Sequence, residues 1–453
     1  MSLVSLLNIA RSALMVHQRA MTITGNNVAN AQTPGYSRQR LDLVQSTPQM
    51  TTLGAIGRGV DASGISRSRD VFFDAAYRRE SGLLGNASTN ATLLSQLEAG
   101  IGEPGSDGLG AALDGLFTSF SDLGNDPSSV TARTMTRQAG ARLVEQFHQT
   151  ATRISEIATD STARMREQVA EVNRLTQQIA GLNTGILAAG PAGNAALSDQ
   201  RDLAVDQLSS MVSAQVTQRP DGTIAVSTGG ALLVDGANAR ELTVRATQAG
   251  TPGVGFTSDS GTIDVGSGSL KALVDLTNTT LPGYQAQLDL LAQNLVSQVN
   301  TQHRAGYTPT GDHNLNFFDP AGTSAASIQL SSEVLASTGS IATGDTTAAG
   351  DGANAQRLGD LIRVPIAGLG NQSLRDFFVN FTSTVGVAVS DAQQQATIQQ
   401  ALVDHADGQR QQVSGVSVDE EMVNLISQQQ AYGAAARLVN VANEMVQDLL
   451  NMI

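Results

Sequence analysis

The sequence has no cysteine and no tryptophan, a single lysine (Lys271) among 27 basic residues, and aromatic side chains at only 4% of its positions. Without cysteine it can form neither disulfides nor thiolate metal sites. That suits a chain that travels unfolded and works outside the cell without thiol cross-linking. The shortage of lysine reads as genome composition bias. Small and amide residues fill the place of the missing aromatics, as suits helices packed close together. Basic charge is in deficit as well: the formal net charge is −14 and the pI is near 4.7. Nucleic acids and anionic lipid surfaces are bound through basic stripes, so the acidic balance argues against both as partners. No apolar run approaches the ~20 residues that span a bilayer. Met1 to Ala10 lack the basic segment and small-residue cleavage site of a secretory signal. No cleaved signal is therefore expected, and the chemistry of the sequence by itself points to the cytoplasm.

Arrangements that carry chemistry are also missing. The histidines His17, His148, His303, His313 and His405 are scattered, and none makes an H-x-x-x-H pair, so a zinc hydrolase site has no support and each reads as a surface or packing residue. Asp312, Asn314 and Asn316 begin like a calcium loop, but Phe317 stands where glycine is needed and Thr323 where the bidentate glutamate is needed. A polar turn is the better reading. Gly266-Ser267-Gly268-Ser269-Leu270-Lys271 begins like a phosphate loop without its spacing. There is no G-x-S-x-G elbow, and the acidic pair Glu420-Glu421 lies at a helix start, where capping and the helix dipole explain it. No catalytic, cofactor-binding or metal-binding residue is expected.

What the sequence does contain is a heptad at each end. Leu3, Leu7, Ala10, Leu14, His17, Met21, Thr24 and Val28 recur at steps of four and three. So do Val418, Met422, Leu425, Gln429, Tyr432, Ala436, Val439, Asn443, Val446, Leu450 and Ile453. Each is a narrow apolar seam on a helix built to lie against other helices. The alternatives are a bundle seam buried within one chain, or a membrane-surface helix, whose polar face would need lysine and arginine. Both seams are terminal, both are flanked by polar loops, and between them they carry Asn, Gln, Thr and Ala at seam positions, where polar residues specify register between partners. Candidate subunit-assembly residues are Leu3, Leu7, Leu14, Met21, Val28, Met422, Leu425, Tyr432, Val439, Val446 and Leu450.

Between the ends, 453 residues hold two or three domains. The first helix runs from about Ser2 to Asn30, roughly 40 Å, and Thr33-Pro34-Gly35-Tyr36 stops it. Short strands and loops are expected from Ser37 to Arg69. Helices are expected at 71–101, 109–123 and 129–187. In the longest of these, the register shift between Ile157 and Met165 means a stutter or a bend. A shorter helix covers 198–211. Alternation at Val212, Ala214 and Val216, the turn Arg219-Pro220-Asp221-Gly222, and further short runs make 212–265 an inserted β domain. Helix resumes at 270–304. Residues 305–370, rich in small residues, read as loops and short strands on the outside. Helix returns at 372–407 and again from Val418. The fold class is mainly α with an inserted β domain. Residues 1–40 and 410–453 form a terminal domain of helices paired as a coiled coil, 41–211 and 266–409 a multi-helix middle domain with short strands, and 212–265 an outward β domain.

Asn26, Asn27, Asn30, Thr33, Pro34, Gly35 and Tyr36, within Asn26-Asn27-Val28-Ala29-Asn30-Ala31-Gln32-Thr33-Pro34-Gly35-Tyr36, form a motif that resembles the N-terminal signature of the flagellar rod, hook and hook-associated proteins. The tail, from Glu420-Glu421-Met422 through Gln430-Ala431-Tyr432 to Asn443-Glu444-Met445 and Leu449-Leu450, is similar to the C-terminal signature of that family. Within it, the hook-associated protein 1 branch is resembled by Ser37-Arg38-Gln39, by Ser198-Asp199-Gln200-Arg201-Asp202 leading into Asp221-Gly222 and Gly229-Gly230, by Gly268-Ser269-Leu270 ahead of Asn300, His303, Gly306 and Phe317-Phe318, and by Ser414 through Glu421. The central region is short for that family. The resemblance implies a structural protein of the hook–filament junction, exported unfolded without a cleaved signal. A dedicated chaperone would hold its C-terminal segment. Identical subunits would form a ring on the hook protein, followed by a second junction protein of the hook-associated protein 3 type. The terminal helices would line the inner tube. A hook or distal-rod protein of the same family is the alternative, and the long helix over 129–187 argues against it. An enzyme carried on the surface has no residue to support it.

Overall fold

The computed structural model describes residues 3–51, 54–102, 105, 108–190 and 194–451. Helix α1 (Leu3–Ala29) leads into a long antiparallel hairpin of β1 (Gln39–Gln45) with β4 (Val60–Arg67), extended by β2 (Gln49–Thr51) with β3 (Gly54–Ile56). Four helices follow: α2 (Val71–Ile101), α3 (Leu109–Asn125), α4 (Val130–Ala189) and α5 (Ala195–Met211). Side chains fix where two of them begin. Asp70 accepts from the Phe72 amide, and Ser129 from the Ala132 amide, each satisfying a donor that the helix itself leaves unpaired.

Helix α4 is unbroken over 60 residues, about 90 Å. Its buried positions alternate by threes and fours except at Ile157, Ser161, Met165 and Val169, where three steps of four follow one another. The register shift is thus a stutter absorbed inside a continuous helix.

The β insert comprises β5 (Gln215–Gln218), β6 (Ile224–Thr228), β7 (Ala231–Asp235) and β8 (Asn238–Ala239) in one antiparallel sheet, and a hairpin of β9 (Leu242–Ala246) with β10 (Pro252–Phe256). Asn173 and Asn183 on α4 hold it. Asn173 bonds both the amide and the carbonyl of Leu242 at 2.8 Å, and Asn183 donates to the carbonyls of Ile224 and Gly236.

The next helix is interrupted. Helix α6 (Ser269–Asp275) widens into a π turn over Leu276–Thr280 before α7 (Leu281–Ala305). Pro282 is the cause: it has no N–H to continue the ladder, and its ring crowds the carbonyl four residues back. A wider turn accommodates it.

Residues 305–370 are mostly loop, as expected, but the expectation that they lie on the outside with short strands fails. Phe317, Phe318, Ala325, Ile328, Val334, Ile341 and Leu358 are fully buried among α3, α4 and α7, and the region includes α8 (Ser332–Ala336) and α9 (Ala353–Asp360) rather than paired strands. Phe317 meets Phe120 edge-on at 4.9 Å and Phe318 at 5.0 Å. The segment lacks periodicity because its backbone is satisfied by side chains instead of by a ladder. Asn300 accepts from the amides of Phe317 and Phe318 and donates to the Phe318 carbonyl. The buried Arg133 guanidinium donates to the carbonyls of Pro127 and Ile341 and to Thr343. Helix α10 (Leu374–Ser414) then returns antiparallel along α2, and α11 (Val418–Asn451) closes the chain.

His303 shows how sharply this core constrains charge. Its Nδ1 donates to the Leu315 carbonyl and its Nε2 accepts from the Ala342 amide, which requires the neutral ring. Burial pushes its pKa down to about 4, against a smaller upward pull from the Leu315 carbonyl. Below its ordinary value of 6.5 the unfolded chain gains a proton that the native chain refuses until about pH 4. The contribution is intact above pH 6.5 and is lost as pH falls through that window. Urea unfolding at pH 7 and pH 4 should show the wild type losing about 3 kcal/mol more than His303→Gln over that interval. Equal losses would contradict the neutral assignment.

Candidate functional site: the terminal helix pair and the ionic joint at its base

Helices α1 and α11 lie antiparallel against each other, with Asn27 opposite Glu421 and His17 opposite Gln428. The β1–β4 hairpin covers another side of α1. Ala10, Val16, Ile23, Thr24 and Asn27 are the buried positions of α1, while Leu7, Leu14, Met21 and Val28 are half-buried. The side chain of Leu3 lies outside the described residues, as does Ile453. On α11 the inward row is Glu421, Leu425, Gln428, Ala435, Val439, Ala442 and Val446. Leu425, Val439 and Val446 therefore lie toward α1. Met422, expected on that row, gives way to its neighbour Glu421 and is exposed, as are Tyr432 and Leu450. Val423, Ile426, Leu438, Val441 and Met445 are exposed as well, so large apolar side chains remain on the outer side of α11.

The motif after α1 acquires a physical role here. Asn27 is fully buried and uses its whole amide: it donates to Glu421 Oε2 and the Gln39 carbonyl, and accepts from Tyr36 Oη and the Gln39 amide. Burial, with the nearby carboxylates of Asp199 and Glu421, pushes the Tyr36 phenol up to about 12, so it remains a donor. Gly35 has φ +79° with Leu203 directly against it, a position that a side chain would strain. Arg38 donates from Nε to Glu421 at 2.8 Å and lies 3.3 Å from Glu420. Dipole capping is too small an account of Glu421, which is a buried partner in a cluster joining the two ends of the chain.

Beneath the helix pair, α5 presents Asp199, Asp202 and Asp206 at i, i+3 and i+7, one face of a helix. Arginines from several elements converge on it. Arg67 at the end of β4 reaches Asp199 and Asp202, both at 2.8 Å. Arg69 reaches Asp202 and grips both oxygens of Asp74. Arg78 of α2 and Arg410 of α10 each reach Asp206 at 2.6 Å, and Arg410 lies over the Tyr77 ring. Burial acts to raise the Asp202 carboxyl, but Arg69, Arg67 and Arg78 outweigh it and hold it below the usual carboxylate range. Ser37 donates to Asp199 through its amide and hydroxyl. The Arg38 amide donates to the Ser414 carbonyl, and Ser68 Oγ to that of Val413. The joint thus ties both ends of the chain to the helical shaft. The carboxylate spacing on 198–206 was visible in the sequence; the arginines it meets were not, being spread from 67 to 410.

Comparison with known proteins agrees with this layout. A family model for the flagellar hook-associated protein FlgK helical domain matches residues 94–318, one for the flagellar basal body rod FlgEFG protein C-terminal region matches 408–452, and one for the flagella basal body rod protein matches 7–36. Flagellar hook-associated protein 1 of Bacillus subtilis is 30% identical over 98% of this chain and 97% of its own length. The chain belongs to the flagellar hook-associated protein 1 family. Its Salmonella typhimurium relative is 26% identical over 99% of this chain and 100% of its own. The solved structure of the flagellar hook junction protein FlgK from Burkholderia pseudomallei has the same fold, with a TM-score of 0.67, 17% identity, and coverage of 76% of this chain and 100% of that one. This is a structural protein of the flagellum. Among the described residues no cluster of side chains could hold a metal ion, and no helix is long and apolar enough to cross a membrane.

In denaturant unfolding, Asp202→Ala should destabilise by about 3–5 kcal/mol, because it leaves buried guanidinium groups unpaired. Breaking the exposed Arg153–Glu156 pair with Arg153→Ala should change the midpoint little.

Proposed function

We propose that this chain is the hook–filament junction subunit of a bacterial flagellum. It assembles as a ring of identical copies on the hook tip and carries the second junction protein, of the hook-associated protein 3 type, and then the filament. Residues 1–40 and 410–453 form its inner tube domain as a coiled coil, 41–211 and 266–409 the middle domain, and 212–265 the outer β domain. The subunit-assembly seam takes in Leu3, Leu7, Leu14, Met21, Val28, Met422, Leu425, Tyr432, Val439, Val446 and Leu450. The chain leaves the cell unfolded and without a cleaved signal, with a chaperone on its C-terminal segment, and acts by building structure rather than by catalysis.

The observation that carries this reading is the outer side of α11. Met422, Val423, Ile426, Leu438, Val441 and Met445 are exposed on a helix whose inner side is already used. Apolar surface of that kind marks contact with other protein. Neighbouring copies in a tube would cover it, and the ordering they impose opposes assembly in dilute solution until a preformed end offers enough buried area.

Deleting 1–30 or 422–453 should leave a folded, soluble middle by circular dichroism and abolish incorporation at the hook tip. In micrographs of the null mutant, hooks should lack filaments while flagellin is shed into the medium. Truncated protein that still capped hooks would refute the proposal.

A further inference from the structure

Helix α11 carries two apolar stripes on opposite sides, and burial of apolar area does not by itself select the inner one. The inner row offers three large apolar side chains, Leu425, Val439 and Val446, interspersed with Glu421, Gln428, Ala435 and Ala442. The outer side offers six, namely Met422, Val423, Ile426, Leu438, Val441 and Met445. A helix free to turn about its axis would gain by burying the outer stripe against α1.

What distinguishes the inner row is polar. Glu421 is joined to Asn27 and Arg38. One heptad further on, Gln428 Oε1 lies 2.7 Å from His17 Nδ1. Both contacts fall in the first three turns of α11, and beyond them the buried positions of the row are Ala435 and Ala442. Turning α11 outward would take from the buried Asn27 Nδ2 its Glu421 acceptor, one of the four bonds of that amide, and a buried donor left unpaired costs more than a bond made in water gains. Polar groups within an apolar seam fix alignment at some expense of stability.

We infer that Glu421 and Gln428, with their partners Asn27, Arg38 and His17, form a rotational pin that turns the weaker apolar side of α11 inward and holds its stronger side out. Resting on the proposed assembly, the pin keeps a monomer from consuming the surface its neighbours need. Glu421 and Gln428 are positioning residues that act through the orientation of Val441 and Met445.

The absence of cysteine makes the test direct. Single cysteines are introduced at Val441 (44% exposed) and Ala435 (4% exposed), both well beyond the pin, and maleimide labelling rates are compared in the full chain. With the pin intact, the cysteine at 441 should react at least tenfold faster than that at 435. In Glu421→Ala/Gln428→Ala the ratio should fall toward one or invert while helix content is kept. Glu421→Gln, which can still accept from Asn27, should keep most of the ratio. An unchanged ratio in the double alanine variant would overturn the pin. Labelling of both sites at the rate of unfolded peptide would also overturn it, because the cluster would then hold the helix on rather than choose its face. Labelling needs no flagellum, so it is independent of the assembly reading. Val441→Asp, which leaves the pin untouched, tests that reading separately: loss of incorporation supports it, and normal incorporation sinks it while leaving the labelling result standing.

Discussion

The meeting of three carboxylates on one face of α5 with four arginines from three other stretches of chain is the interaction on which the rest of this molecule depends. Each arginine alone would be costly to bury. Placed around Asp199, Asp202 and Asp206, they neutralise the carboxylates and are held by them, and the fork geometry of the guanidinium lets one side chain reach two acids. Because β4, α2, α5 and α10 all contribute, the joint forms only when the shaft is complete. The terminal helices are attached at this same place, through Ser37, Ser68 and the backbone of Val413 and Ser414.

The shaft itself rests on another use of polar side chains. A helix as long as α4 can bury a continuous stripe, but the insert and the irregular segment lying against it carry backbone groups that need partners. Asn173, Asn183, Asn300, Arg133 and His303 supply them from helices. The result is a core in which loops are buried, and aromatic side chains from an aperiodic segment sit against α3 and α7.

The terminal pair differs in kind. On α11 the buried positions are small or polar, and most of its larger apolar residues face away. Polar contacts at its base carry the alignment that apolar burial carries elsewhere. A surface of this sort has little value to an isolated chain and considerable value to one that meets copies of itself at the end of a growing structure.

The helices, their order and the β insert were legible from periodicity, because apolar spacing of 3.6 or 2 is a local property of a chain. Asn26 through Tyr36 and the tail motif were enough to point to the family. Other features were decided by tertiary structure. Residues 305–370 are buried because distant helices satisfy their backbone, and no local pattern encodes that. Which face of α11 turns inward follows from Asn27 and His17, 394 and 411 residues away in sequence from Glu421 and Gln428. Glu421 looks like any acid at a helix start until Arg38 is folded against it. Sequence determines what each segment can bury; which of two possible faces it does bury is decided by groups brought together only when the two ends of the chain meet.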